Sequence, residues 1–183
     1  MAHIAVPDDI PGIRSLVMFR PDTGKHLYEL AEILLRGESP LSPAERELIA
    51  AYVSRQNDCV FCSCSHAAAA RVHFGDQEGV VDAVLTDPAT APISAKLRAL
   101  LVIADKTRER GNLVTPEHVV AARHAGATDR DIHDTVLIAA SFSMFNRYVD
   151  GLDTLTPTDL AAYEPMGVRM ATVGYVPPNP ANS

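Results

Sequence analysis

A chain of 183 residues with 47% hydrophobic content can bury a substantial core in one domain. Aromatics are only 5% and tryptophan is absent, so alanine and leucine must fill that core, which favours closely packed helices over a β-sandwich. The formal net charge of −7, without any dense lysine or arginine block, argues against nucleic acid as a partner. There is no signal-peptide pattern and no apolar run near the roughly 20 residues of a membrane span, so a cytoplasmic protein with no membrane partner is expected.

Residues 1–24 carry Pro7, Pro11, Pro21, Gly12 and Gly24 and read as an N-terminal arm with at most a short helix around Ile13–Phe19. An all-helical domain is expected over 25–164. From Lys25 to Leu35, apolar Leu27, Leu30, Ala31 and Leu34 recur at helical spacing, and Gly37-Glu38-Ser39-Pro40 stops them. Ser42 is a good N-cap, Pro43 suits the first helical position and Glu45 completes a capping box. That helix runs to about Arg55. Gln56-Asn57-Asp58 reads as a break, with Asn57 or Asp58 capping a new helix that opens at the cysteines and ends at Gly75. Further helices are expected near Glu78–Leu85, Ile93–Thr107, from Thr115 to His124, and from Asp131 to about Gly151. The stretch 165–183, rich in proline, glycine and asparagine, reads as an extended C-terminal tail.

A weak internal repeat runs through this order. Ser42, Arg46 and Leu48 recur as Ser94, Arg98 and Leu100, and Gly75 recurs as Gly126, at an offset of 51 to 52 residues. The implication is an all-α fold of two related helical halves. Only the first half contains cysteine.

All three cysteines lie in Cys59-Val60-Phe61-Cys62-Ser63-Cys64-Ser65-His66. On a helix starting near Cys59, the side chains of Cys59, Cys62 and His66 share a face, and Cys64 points away. A dithiol at a helix start benefits from the positive end of the helix dipole, and His66, one turn beyond Cys62, is placed to take or relay a proton. A reducing cytosol makes clustered cysteines more often catalytic or metal-binding than structural. Two other readings stay open: Cys59 and Cys62 as small core residues, or Cys59, Cys62, Cys64 and His66 counted as metal ligands, although one helix cannot turn all four onto a tetrahedron. Glu47 would join the dithiol if the chain folds back at 56–58. His73 lies on the His66 face, whereas His118, His124 and His133 follow no partner pattern. Asn146-Arg147-Tyr148 is a polar cluster in an apolar run, read either as a site or anion contact or as helix packing. The apolar character around Val102 and Val136–Ala140 suits a subunit interface.

Glu47 precedes Cys59 by twelve positions, Cys62 follows Cys59 by three, and His66 follows Cys62 by four. With the lead-in Leu41-Ser42-Pro43-Ala44-Glu45-Arg46-Glu47, this resembles the active-site pattern of the alkylhydroperoxidase D-like family, within the carboxymuconolactone decarboxylase superfamily. The resemblance implies an all-α fold and a peroxidatic thiolate at Cys62. It further implies Cys59 as resolving cysteine and proton donor, and a Glu47/His66 proton relay. Its implied partners are a hydroperoxide substrate and an external dithiol reductant, with no cofactor, in a homo-oligomer, trimer or hexamer. The peroxidase prototype carries a histidine just before the second cysteine; Phe61 stands there in this chain. That places the chain nearer the peroxidase-related branch, and the cysteine pair argues against lactone decarboxylation. The rival class is a non-enzymatic, redox-sensing or metal-binding helical oligomer.

Overall fold

The computed structural model describes residues 2–176. Among them the α-helices are α1 Ile13–Phe19, α2 Pro21–Arg36, α3 Pro43–Gln56, α4 Val60–Phe74, α5 Gly79–Thr86, α6 Ala95–Glu109, α7 Pro116–His124, α8 Asp129–Gly151 and α9 Glu164–Val173, with no strand. The all-α expectation holds. No described helix is long and apolar enough to cross a membrane.

α3 is the central element, and α2, α4, α5, α6 and α8 pack around it. Leu48, Ile49, Ala50, Ala51 and Val53 are wholly buried, because α3 carries small and apolar residues on every side rather than along one stripe. Its start is the expected capping box: the Ser42 hydroxyl accepts from the Glu45 N–H, and the Glu45 carboxylate accepts from the Ser42 N–H.

The two halves are related in their hydrogen bonding as well as in their sequence. Ser94 caps α6 as Ser42 caps α3, accepting from the Leu97 N–H at 3.1 Å. Arg46 turns back to donate to the Leu34 and Gly37 carbonyls, and Arg98 turns back to donate to those of Pro88 and Ala91. In each half one arginine therefore ties the helix start to the preceding linker. Gly75 and Gly126 end α4 and α7 with φ of 55° and 94°, a region that costs glycine nothing.

Both arms depart from expectation. α2 begins at Pro21, four residues before Lys25, because proline is tolerated at the first helical position, where no N–H bond is lost. Gly24, read as a breaker, lies inside α2 so that α2 can approach α1: a Cβ there would come within 2.6 Å of Val17. In the stretch read as an extended tail, residues 165–173 belong to α9, with Pro165 again in the first turn. Gly167 lets α9 lie against α4, since a Cβ there would meet the Ala68 backbone at 2.6 Å. Residues 177–183 of that expected tail lie outside the described residues.

Candidate active site

The α3–α4 connection decides where the site forms. The Cys59 N–H bonds to the Ser54 carbonyl and the Asp58 N–H to the Arg55 carbonyl, while Asp58 takes a left-handed φ of 59°. This is a Schellman ending, with aspartate where glycine is commoner. It reverses the chain and makes Cys59 itself the N-cap residue of α4, in place of the expected Asn57 or Asp58. Asn146 of α8 secures the turn. Its amide donates to the Ser54 hydroxyl at 2.9 Å and accepts from Asn57 at 2.9 Å.

Folding back sets Glu47 of α3 against His66 of α4. Glu47 is fully buried, and its Oε2 lies 2.6 Å from His66 Nδ1. Its Oε1 pairs with the Arg36 guanidinium of α2 and accepts from the Tyr175 hydroxyl at 2.6 Å. Burial alone would push the Glu47 carboxyl up; His66, Arg36 and Tyr175 outweigh it and hold the group below the ordinary glutamate range. Burial and the nearby Glu47 charge push the Tyr175 phenol well above its usual value, so it stays a neutral donor.

Arg36 and Tyr175 escaped sequence reading. Arg36 ends α2 and also donates to the Met170 carbonyl of α9. Tyr175 follows α9, and the Glu32 carboxylate holds its backbone N–H at 2.6 Å. Only the Glu32 contact and the Arg36 guanidinium over the Tyr175 ring, 5.4 Å from its centroid, show why this residue turns inward. His66 is further fixed edge-on against Phe142, with ring centroids 4.5 Å apart.

The dithiol occupies a separate apolar cluster of Cys59, Phe61, Cys62, Ala68, Val149 and Tyr163. All three thiols are free. The Cys59 S–H donates toward Cys62; that bond, with burial, pushes its pKa far above the usual thiol range. Asp150, in the last turn of α8, also raises the Cys59 thiol and is a carboxylate that spacing could not reveal. Phe61 packs on the Gly12 backbone, where a Cβ would fall 2.0 Å from the ring.

Cys62 and His66 line one cavity of about 40 Å³ with Phe61, Phe142, Phe145 and Tyr175. A second, of about 80 Å³, adjoins it: Phe61, His66 and Tyr175 line both. With Nδ1 committed to Glu47, His66 has Nε2 left for the cavity; among the described residues none bonds it. His66 is thus brought together with Glu47 by a hydrogen bond and with Cys62 in one cavity, and Cys62 with Cys59 in one apolar cluster.

The other candidates are not. Cys64 stands apart and half-buried, its thiol raised by burial. Arg147 is exposed and bonds only the Ser143 carbonyl of its own helix; Asn146 is the working member of that cluster. His118 caps α7 through Thr115, and His133 pairs with Asp134. His73 lies within the field of Glu47 and Arg36, its pKa lowered by burial. Among the described residues no three of histidine, cysteine, aspartate and glutamate are grouped to hold a metal ion.

The sequence matches the carboxymuconolactone decarboxylase family over residues 21–106. The fold matches an uncharacterized peroxidase-related protein from Ralstonia eutropha JMP134, described as an alkylhydroperoxidase AhpD core. That match has 26% identity and a TM-score of 0.76, and covers 86% of this chain and 81% of the other. The chain thus shares the AhpD-like helical fold, and residues 21–106 are similar to the carboxymuconolactone decarboxylase family. A second match, an uncharacterized peroxidase-related protein from Silicibacter sp. TM1040, has 28% identity and a TM-score of 0.75, covering 85% and 79% of the two chains. No functionally curated protein matches the sequence. The superfamily segment takes in Arg36, Glu47, Cys59, Cys62 and His66, and stops before Asn146, Asp150 and Tyr175.

Proposed function

We propose that this AhpD-like protein is a thiol-dependent peroxidase that reduces hydroperoxides at Cys62. The observation that carries the reading is the 2.6 Å Glu47–His66 bond, which orients the imidazole in the same cavity that Cys62 lines. The Cys62 thiolate attacks a peroxide oxygen, forming S–O and breaking O–O. The departing alkoxide takes a proton through His66 and leaves as alcohol. The Cys59 sulfur then attacks the Cys62 sulfenic acid, forming the disulfide and releasing water, and an external dithiol returns both thiols by exchange. Cys59 and Cys62 share one apolar cluster, which suits Cys59 as the resolving sulfur.

Phe61 lines the cavity with an apolar ring where a histidine would be polar, which favours organic hydroperoxides over hydrogen peroxide. Exposed Val102 and Leu137 support the expected homo-oligomer. The deciding experiment titrates accessible thiols before and after one equivalent of peroxide, in wild type and Cys62→Ser. Wild type should lose two thiols and the variant none, with peroxide consumption down at least about a hundredfold. Equal thiol loss in both proteins removes the peroxidase reading. Stoichiometric zinc or iron on elemental analysis would favour the metal-binding alternative.

A further inference from the structure

The second cavity has a polar mouth that the peroxide chemistry does not use. Arg14 of α1 and Arg169 of α9 both line it, beside Tyr28 of α2. Both guanidinium charges act on the Tyr28 phenol, so three helices bring two cations and one hydroxyl to a single place. Burial nevertheless raises the Tyr28 pKa, leaving a neutral O–H able to donate.

The cations are uncompensated. The protein carries 23 acidic against 16 basic residues, and most of its arginines pair with carboxylates or backbone carbonyls. Among the described residues neither Arg14 nor Arg169 has a carboxylate partner, and Arg169 makes only a 3.5 Å contact to the Gly174 carbonyl. Among the described residues no aspartate or glutamate lines either cavity. Below this mouth the wall turns apolar through Met166, Met170 and Phe61, then reaches His66, which the second cavity shares with the one holding Cys62. The order from outside to inside is therefore cationic, apolar, reactive.

We propose that this pocket binds amphipathic monocarboxylates and that the substrates are hydroperoxides of that class. Arg14, Arg169 and the Tyr28 hydroxyl hold the carboxylate, Met166, Met170 and Phe61 cover the hydrocarbon, and the peroxide end reaches Cys62. Guanidinium groups suit a planar carboxylate because their N–H donors match its two oxygens. The hydrocarbon wall distinguishes such an acid from a small hydrated anion. The peroxide part rests on the peroxidase reading, whereas the carboxylate part does not.

Two measurements separate them. Binding of para-isopropylbenzoate, cumene and inorganic phosphate to the full chain is followed by calorimetry or ligand NMR, in wild type and in Arg14→Ala/Arg169→Ala. Turnover is compared for cumene hydroperoxide and its para-carboxylate derivative. Wild type should bind para-isopropylbenzoate in preference to cumene and phosphate, less tightly as salt rises. The ratio of kcat/KM, carboxylated over neutral hydroperoxide, should fall roughly tenfold to a hundredfold in the double variant. Both arginines are exposed, so the variant should fold. Carboxylate binding without turnover of either peroxide upholds the acid site and removes the peroxidase reading. Phosphate binding as tightly as the aryl acid, no carboxylate preference in wild type, or an unchanged ratio in the variant overturns the inference.

Discussion

The α3–α4 and α6–α7 pairs begin alike and then part. Each opens with a serine cap, and each has an arginine turned back on the preceding linker. One residue after those arginines they diverge: Glu47 follows Arg46, and Ala99 follows Arg98. They diverge again at the connection. The first half passes through a tight Schellman turn straight into the 15-residue α4, whereas the second passes through a short turn at Gly111–Leu113 before the 9-residue α7. The first turn of α4, with Cys59 at its cap and Cys62 within it, is matched in the second half only by the 3-10 turn Gly111–Leu113. The shared cap and arginine are scaffold; the buried carboxylate and the early helix start are where the candidate site forms.

The sharpest way to test that division is to give the first half the residue of the second. Glu47→Ala should destabilise by about 3–5 kcal/mol, because Arg36 then lies part-buried without its counter-charge. Urea unfolding would measure it, and a change below about 1 kcal/mol would show that Arg36 finds another partner. The converse test removes what the halves share. Arg46→Ala and Arg98→Ala should each cost about 1.5–3 kcal/mol, with Arg46 the larger because it is more deeply buried. If only one of the two matters, the halves are alike in sequence and not in energetics.

Tyr175→Phe removes a donor that only the first half has. It should cost about 1 kcal/mol and move the acid limb of the peroxide-reduction profile upward in pH, since Glu47 loses a bond that favours its charged form. An unmoved limb would make Tyr175 a packing residue. The smallest effect separates the halves by acid. Glu47 in the first half, and Asp131 and Asp134 in the second, have pKa values below the ordinary carboxylate range. Folded values below the unfolded ones mean stability that is complete above the unfolded carboxylate pKa of roughly 4 and is lost as pH falls through the folded values. In Glu47→Gln that loss should become shallower, with the share from Asp131 and Asp134 remaining.

What could be read from sequence depended on whether the determining contact was local. The capping box at Ser42, the stops at Gly75 and Gly126, and the common face of Cys62 and His66 all follow from neighbours within one or two turns. Prolines misled at both ends of the chain, because Pro21 and Pro165 sit in first turns, where proline is harmless, and not in arms. The Schellman turn at Asp58 was legible only as a break, since aspartate adopts the left-handed conformation without the glycine that usually signals it.

The sequence by itself determined an all-helical chain of two related halves, with a dithiol and a histidine one helical turn apart. Helix periodicity and capping suffice for that. Only the tertiary structure decided that Glu47 is held by Arg36 and Tyr175, the latter 128 residues away, and that Asn146 secures the turn before Cys59. It likewise decided that Arg14 of α1 and Arg169 of α9, without carboxylate partners among the described residues, line one cavity. A buried carboxylate must find its partners wherever packing delivers donors, and no local pattern in a chain encodes which distant helix end will arrive.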